Sequence, residues 1–124
     1  MEYVIVGNSA AAVGAIEGIR QLDANGKITV ISNETHHTYS RPLISYLLQG
    51  KTDRQLMKYR ADSFYTDNDC KTVFGKTVTA IDRESKAVGL NDGKRISYDK
   101  LLIATGSSPF VPPMTGLEAV DKRF

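Results

Sequence analysis

The sequence predicts an α/β fold: a Rossmann-like parallel sheet with an antiparallel β-meander as one crossover. Three observations carry that expectation. Residues 3–12, Tyr3-Val4-Ile5-Val6-Gly7-Asn8-Ser9-Ala10-Ala11-Ala12, run an apolar strand into a stretch of small side chains. A helical pattern and a second apolar strand follow within about 30 residues, the context a dinucleotide-binding βαβ unit needs. Much later, Leu101 to Ile103 lead into Ala104-Thr105-Gly106, with a short alternating region between the two units.

The first strand is Val4-Ile5-Val6. A buried parallel strand is apolar on both faces, and this one is. The chain must then turn sharply into a helix whose first N–H groups are unpaired and favour an anion such as a pyrophosphate. In the usual fingerprint the first glycine serves the turn. The second allows backbone to approach phosphate, and the third allows close helix–strand packing. Here Gly7 takes the first role, Ser9 replaces the second glycine, and Ala12 takes the third. Gly7, Asn8, Ser9, Ala10 and Ala11 are therefore the candidate phosphate turn.

The helix is carried by Val13, Ile16, Ile19 and Leu22, with polar Glu17, Arg20 and Gln21 between them. Asn25-Gly26 closes it with residues that tolerate the left-handed conformation. Lys27 to Ser32 reads as the second strand. An acidic residue near the end of that strand would hold a ribose hydroxyl, and Glu34 is the candidate.

Pro42 suits the first position of a helix. Leu43, Ile44, Leu47 and Leu48 recur behind it at helical spacing, ended by Gly50. Arg41 stands at the mouth of that helix. His36 and His37 are adjacent, which is poor spacing for a shared metal, and they read as solvated loop histidines. Tyr59-Arg60 and Phe64-Tyr65 read as the apolar faces of two short helices. Cys70 opens a strand, Cys70 to Phe74, and reads as a small buried or edge residue.

From Gly75 the period changes to two. Thr77 to Ile81, Ala87 to Leu90 and Arg95 to Tyr98, with a tight turn at Asn91-Asp92-Gly93, predict a three-stranded antiparallel meander. The strand Leu101 to Ile103 returns to the parallel sheet, and the small residues Ala104, Thr105 and Gly106 let backbone pass close to something bulky. Residues 109–124 begin as a stiff, proline-rich exit, with Pro109, Pro112 and Pro113.

Composition narrows the function classes. The net charge is only +2 and the basic residues are scattered, so no nucleic-acid footprint is visible. No apolar run approaches the roughly 18 residues of a membrane span. The first strand begins at once, so no signal peptide is expected and a cytoplasmic location is. One cysteine in 124 residues excludes an internal disulfide and a Cys-Xaa-Xaa-Cys pair. No residue here is a convincing acid, base or nucleophile, so no catalytic residue and no metal ligand is assigned.

The order Val-Ile-Val-Gly-Asn-Ser-Ala-Ala (4–11), Tyr-Ser-Arg-Pro-Leu-Ile-Ser (39–45), then Leu-Leu-Ile-Ala-Thr-Gly (101–106) resembles the flavin-dependent pyridine nucleotide–disulfide oxidoreductase superfamily. It looks most like the branch of rubredoxin and ferredoxin reductases, NADH oxidases and nitrite reductase flavoproteins. The resemblance implies an incomplete FAD-binding domain of glutathione-reductase type. It implies that Arg41 contacts the FAD phosphates, that Pro42 lines the flavin side, and that Val78 presents its backbone to the adenine. Disulfide reductases of this superfamily place a redox cysteine after the second strand, and residues 36–46 contain none. The parent enzyme is then expected to pass electrons from NAD(P)H through FAD to an external acceptor, a protein or a small molecule.

Superfamily members add an NAD(P)H domain and an interface domain, for which this length leaves no room. The expectation is an N-terminal part of the FAD-binding domain at 1–108 and, at 109–124, an exit toward an NAD(P)H-binding domain. Such a piece holds mainly the ADP half of FAD, weakly, and does not run the reaction alone. The resemblance also allows a homo-oligomeric parent. Two other readings stay open: a noncatalytic nucleotide-binding module, and the NAD-binding Rossmann domain of a small dehydrogenase. The Tyr39-Ser40-Arg41-Pro42 segment and the meander speak against the second.

Overall fold

The protein is described from a computed structural model, over residues 1–116. Strand β1 (Glu2–Val6) runs into helix α1 (Ala10–Leu22), and β2 (Lys27–Ser32) follows. A 3-10 turn at Arg41–Leu43 leads into the short α2 (Ile44–Leu48), and α3 (Phe64–Asp67) precedes β3 (Cys70–Phe74). The meander is β4 (Val78–Asp82), β5 (Ala87–Leu90) and β6 (Arg95–Ser97), and β7 (Lys100–Ile103) closes the order. Strands β3-β2-β1-β7 form one parallel sheet, and β4-β5-β6 form a separate antiparallel one.

Three layers result, and the alternation of β1 builds them. Ile5 faces one side and joins Ala12, Val13 and Ile16 of α1, Ile28 and Val30 of β2, and Phe64 and Tyr65 of α3. Val4 and Val6 face the other side and join Ile31, Val88 and Leu90, which seat the meander on the sheet. An apolar strand buried on both faces is what a central parallel strand requires. Ala12 is fully buried within the first cluster, where a larger side chain would push α1 off the sheet.

Some local expectations are corrected. Leu22, the last residue of α1, is 93% exposed. The turn after α1 does not use a left-handed residue. Asp23 accepts hydrogen bonds from the amides of Asn25 (3.2 Å) and Gly26 (2.7 Å), and Gly26 has an ordinary backbone. Glycine is needed there for space: a Cβ would stand 2.6 Å from the Tyr3 ring and 2.5 Å from the Asp23 carboxylate. Helix α2 forms, but Ile44, Tyr46 and Leu48 are exposed, so its apolar spacing does not mark a buried face. Phe64 and Tyr65 do face the core from α3, whereas Tyr59 lies in no helix, exposed, with the Arg60 guanidinium over its ring.

His37 is not a solvated loop residue. Its ring packs edge-on against Tyr65, with centroids 5.0 Å apart, and its Nε2 is buried. Strand β7 is a sheet edge with Leu102 and Ile103 exposed. Of the exit expected at 109–124, residues 109–116 are exposed and lie in no helix or strand, with a turn at Thr115–Gly116, and 117–124 lie outside the described residues.

Candidate functional site

In a parallel sheet, ligands bind beyond the carboxyl ends of the strands, where neighbouring connections run in opposite directions. Here that point is the end of β1, with β2 on one side and β7 on the other. A cleft of about 400 Å³ opens there, within the ordinary range for small-ligand sites.

The turn at Gly7 is built by crossing chains. The Gly7 amide donates to Ile31 O (2.8 Å), and the Ala104 amide donates to Val6 O (2.7 Å). Gly7 adopts φ +124°, and a Cβ on it would lie 2.0 Å from the Ala104 carbonyl oxygen. The first glycine of the motif is therefore required by the Ala104 backbone pressed against it. Ser9 follows at the N-cap of α1 with φ −110°, which any residue adopts. Its hydroxyl does not cap the helix, and no acidic residue occupies the first turn. The positive end of the α1 dipole thus meets the cleft without a protein anion in its first turn.

Arg41 and Glu34 complete the mouth. Arg41 Nε donates to Ser9 Oγ (3.3 Å), and Nη2 pairs with Glu34 Oε1 (3.1 Å). The Tyr39 hydroxyl donates to the same Glu34 oxygen (3.3 Å). Burial, and then the Glu34 charge, raise the Tyr39 phenol above its ordinary range and keep it a donor. Among the described residues Glu34 Oε2 takes no hydrogen bond, so one carboxylate oxygen is free to accept a hydroxyl.

Asn8 holds the site from behind. Its side chain is buried, donating to His36 O (3.2 Å) and accepting from the Tyr65 hydroxyl (2.5 Å). Burial raises the Tyr65 phenol and keeps it protonated for that bond. The same hydroxyl accepts from the Thr38 amide (3.3 Å).

Of the sequence-predicted residues, Gly7, Asn8, Ser9, Glu34, Arg41, Val78, Thr105 and Gly106 line the one cleft. Ala10 and Ala11 are exposed in the first turn of α1, Pro42 is exposed in the 3-10 turn, and Ala104 packs against the core beneath Gly7. Lys76 and Thr77, just before β4, and Ser107 and Ser108, just past Gly106, also line the cleft and were not singled out. Their adjacency to Val78 and Gly106 was the available signal. Lys76 pairs with Asp92 (3.0 Å), which pulls the Asp92 carboxyl below its ordinary range.

Cys70 lies elsewhere. It opens β3 beside Ile28, at the amino-terminal end of the sheet, and burial pushes its thiol up to about 11. Among the described residues no group of three or more His, Cys, Asp or Glu side chains could hold a metal, and no helix is long and apolar enough to cross a membrane.

The chain matches the pyridine nucleotide-disulphide oxidoreductase family over residues 1–124. It belongs to that family. It is 36% identical over 120 residues to the NADH-dependent phenylglyoxylate dehydrogenase subunit epsilon of Aromatoleum evansii, covering 97% of this chain and 28% of that protein. It is 38% identical over 119 residues to the nitrite reductase [NAD(P)H] of Bacillus subtilis, covering 94% and 15%. Among solved structures, the covalent putidaredoxin reductase–putidaredoxin complex superposes with a TM-score of 0.85 at 32% identity, over 90% of this chain and 27% of that one. The family member described here thus spans between 15% and 28% of the length of these relatives.

Proposed function

We propose that this chain supplies the ADP-binding portion of an FAD site in an NAD(P)H-dependent flavoprotein oxidoreductase. The observation that carries the reading is the convergence of the uncapped α1 N-terminus, Arg41 and Glu34 on one cleft at the end of β1. The residues fit the group: a dianionic diphosphate matches the helix dipole and Arg41, and a ribose hydroxyl matches the free oxygen of Glu34.

The roles follow from position. The backbone from Gly7 to Ala11 faces the diphosphate, and Ser9 can donate its hydroxyl to it. Arg41 neutralises its charge, Glu34 accepts from the ribose, and the Val78 backbone meets the adenine. Thr105 and Gly106 close the wall beyond β7, next to Ala104, and Pro42 lies toward the flavin. When bound, FAD supplies hydride and electron transfer, and the protein supplies position and electrostatics. No side chain of the cleft is assigned as acid, base or nucleophile.

The acceptor is external to this chain's own thiol chemistry. Cys70 is at the far end of the sheet and is held as a neutral thiol. The putidaredoxin partner and the nitrite reductase named among the relatives support the class of an electron-carrier protein or a small oxidant. The exposed apolar edge of β7 and the short span against the relatives support residues 1–108 as the N-terminal part of a larger FAD-binding domain. In this reading 109–124 lead toward an NAD(P)H domain, in a cytoplasmic enzyme.

Titration with FAD, followed by quenching of flavin fluorescence, tests the reading. Wild type is expected to bind, and Glu34→Gln and Arg41→Ala are each expected to weaken binding by roughly tenfold, the worth of one charge-assisted hydrogen bond. Equal affinity in all three proteins, or preference for NAD over FAD, overturns it.

A further inference from the structure

Glu34 comes from a loop and Arg41 from the start of a 3-10 turn, and neither is buried. The Arg41 side chain is 53% exposed, and an ion pair in water holds its partners only weakly. What fixes the pair is Tyr39. Its ring lies under the Arg41 guanidinium, 5.0 Å from centroid to Cζ, while its hydroxyl reaches Glu34 Oε1 at 3.3 Å. One side chain thus touches both members of that ion pair through two different atoms.

Tyr39 is itself anchored on both sides. It pairs antiparallel with Lys58, the Ser40 amide donates to Met57 O (2.8 Å), and the Tyr59 amide donates to Thr38 O (3.1 Å). Thr38, fully buried, donates its amide to the Tyr65 hydroxyl, which in turn donates to Asn8 in the phosphate turn. The loop is therefore wired to the turn at a fixed distance.

We propose that Tyr39 is a positioning residue of the nucleotide site, holding the Glu34 carboxylate by its hydroxyl and the Arg41 guanidinium on its ring, so that ribose and diphosphate recognition are set together. The assignment rests on the FAD reading above. The two halves of Tyr39 separate by substitution. Tyr39→Phe keeps the ring and loses the hydroxyl; Tyr39→Leu loses both.

The full chain is titrated with FAD, and with inorganic pyrophosphate as competitor. Tyr39→Phe is expected to weaken FAD roughly fivefold through the lost hydrogen bond while pyrophosphate affinity stays within about twofold. Tyr39→Leu is expected to weaken both ligands, FAD by roughly 20-fold, because the cation–π contact goes as well. In a Glu34→Gln background the Tyr39→Phe effect is expected to shrink below about twofold, since the partner is already altered. A purely structural tyrosine would lower FAD affinity equally in both backgrounds, and that result overturns the assignment. If Glu34→Gln and Arg41→Ala weaken FAD but both Tyr39 variants bind as wild type does, the positioning role falls and the FAD reading stands. If wild type binds no FAD, both fall.

Discussion

Gly7→Ala tests the account of the turn most directly. The new methyl would stand 2.0 Å from Ala104 O and 2.5 Å from Ala104 C, separations at which backbone must move. Ala104 cannot move freely, because its amide holds Val6 O at 2.7 Å and β7 is paired to β1 through Ile103. Alanine at φ +124° is also strained, by about 1–3 kcal/mol. Opening the crossing loses at least one backbone hydrogen bond, about 1 kcal/mol. The sum, about 3 kcal/mol, is a large part of the stability of a typical domain. Urea denaturation should show it as a midpoint shift of roughly 2 M, given a slope of about 1–2 kcal/mol per molar. Gly14→Ala and Gly18→Ala are the controls: both lie within α1 with open space at the Cβ, and each is expected to stabilise by about 0.5–1 kcal/mol. A Gly7→Ala midpoint within 0.3 M of wild type would refute the steric argument.

Two further perturbations probe the surroundings of the cleft. Asn8→Ala removes the acceptor of the buried Tyr65 hydroxyl and should cost about 2 kcal/mol in urea unfolding; a loss under about 0.5 kcal/mol would mean the Asn8–Tyr65 bond does not brace the turn. Cys70 should react with iodoacetamide at pH 8 roughly 100-fold more slowly in the native chain than in urea, following the depleted thiolate. Burial raises this thiol, so its contribution to stability is complete below about pH 8.5 and is lost as pH rises through about 11. Alkylation at equal rates in both states would contradict the burial.

The central layer was legible because its signal is local and doubly constrained. Val4-Ile5-Val6 is apolar on both faces, and Lys27 to Ser32 forms the strand its pattern predicts. The meander was legible because a period of two leaves few alternatives. Two misreadings, Leu22 and α2, share one cause: helical spacing shows that a face could be buried, not that anything lies against it. Leu22, Ile44 and Leu48 had the spacing but are exposed. Asn8 lines the cleft as expected of the turn, and its side chain also pairs with Tyr65, 57 positions away, a contact that no local pattern contains. Lys76 and Thr77 reach the cleft because β3 ends beside Ser32 and the Lys76 amide donates to Ser32 O (3.0 Å), a tertiary fact.

Serine at the second glycine position poses two opposed effects, and the geometry favours one. A side chain there narrows the approach of phosphate to backbone, so Ser9→Gly would tighten binding if space were limiting. Yet Ser9 has an ordinary φ of −110°, so glycine relieves no strain. Its hydroxyl leaves the helix uncapped and instead accepts from Arg41 Nε at 3.3 Å. That leaves its own O–H free to donate to an anion at the α1 N-terminus. The hydroxyl thus links the helix end to Arg41, the residue proposed to neutralise the same diphosphate. Ser9→Ala and Ser9→Gly are therefore both expected to weaken FAD, each by roughly three- to tenfold, the worth of one or two hydrogen bonds. Tighter binding by Ser9→Gly, with Ser9→Ala unchanged, would show that space and not the hydroxyl governs the turn.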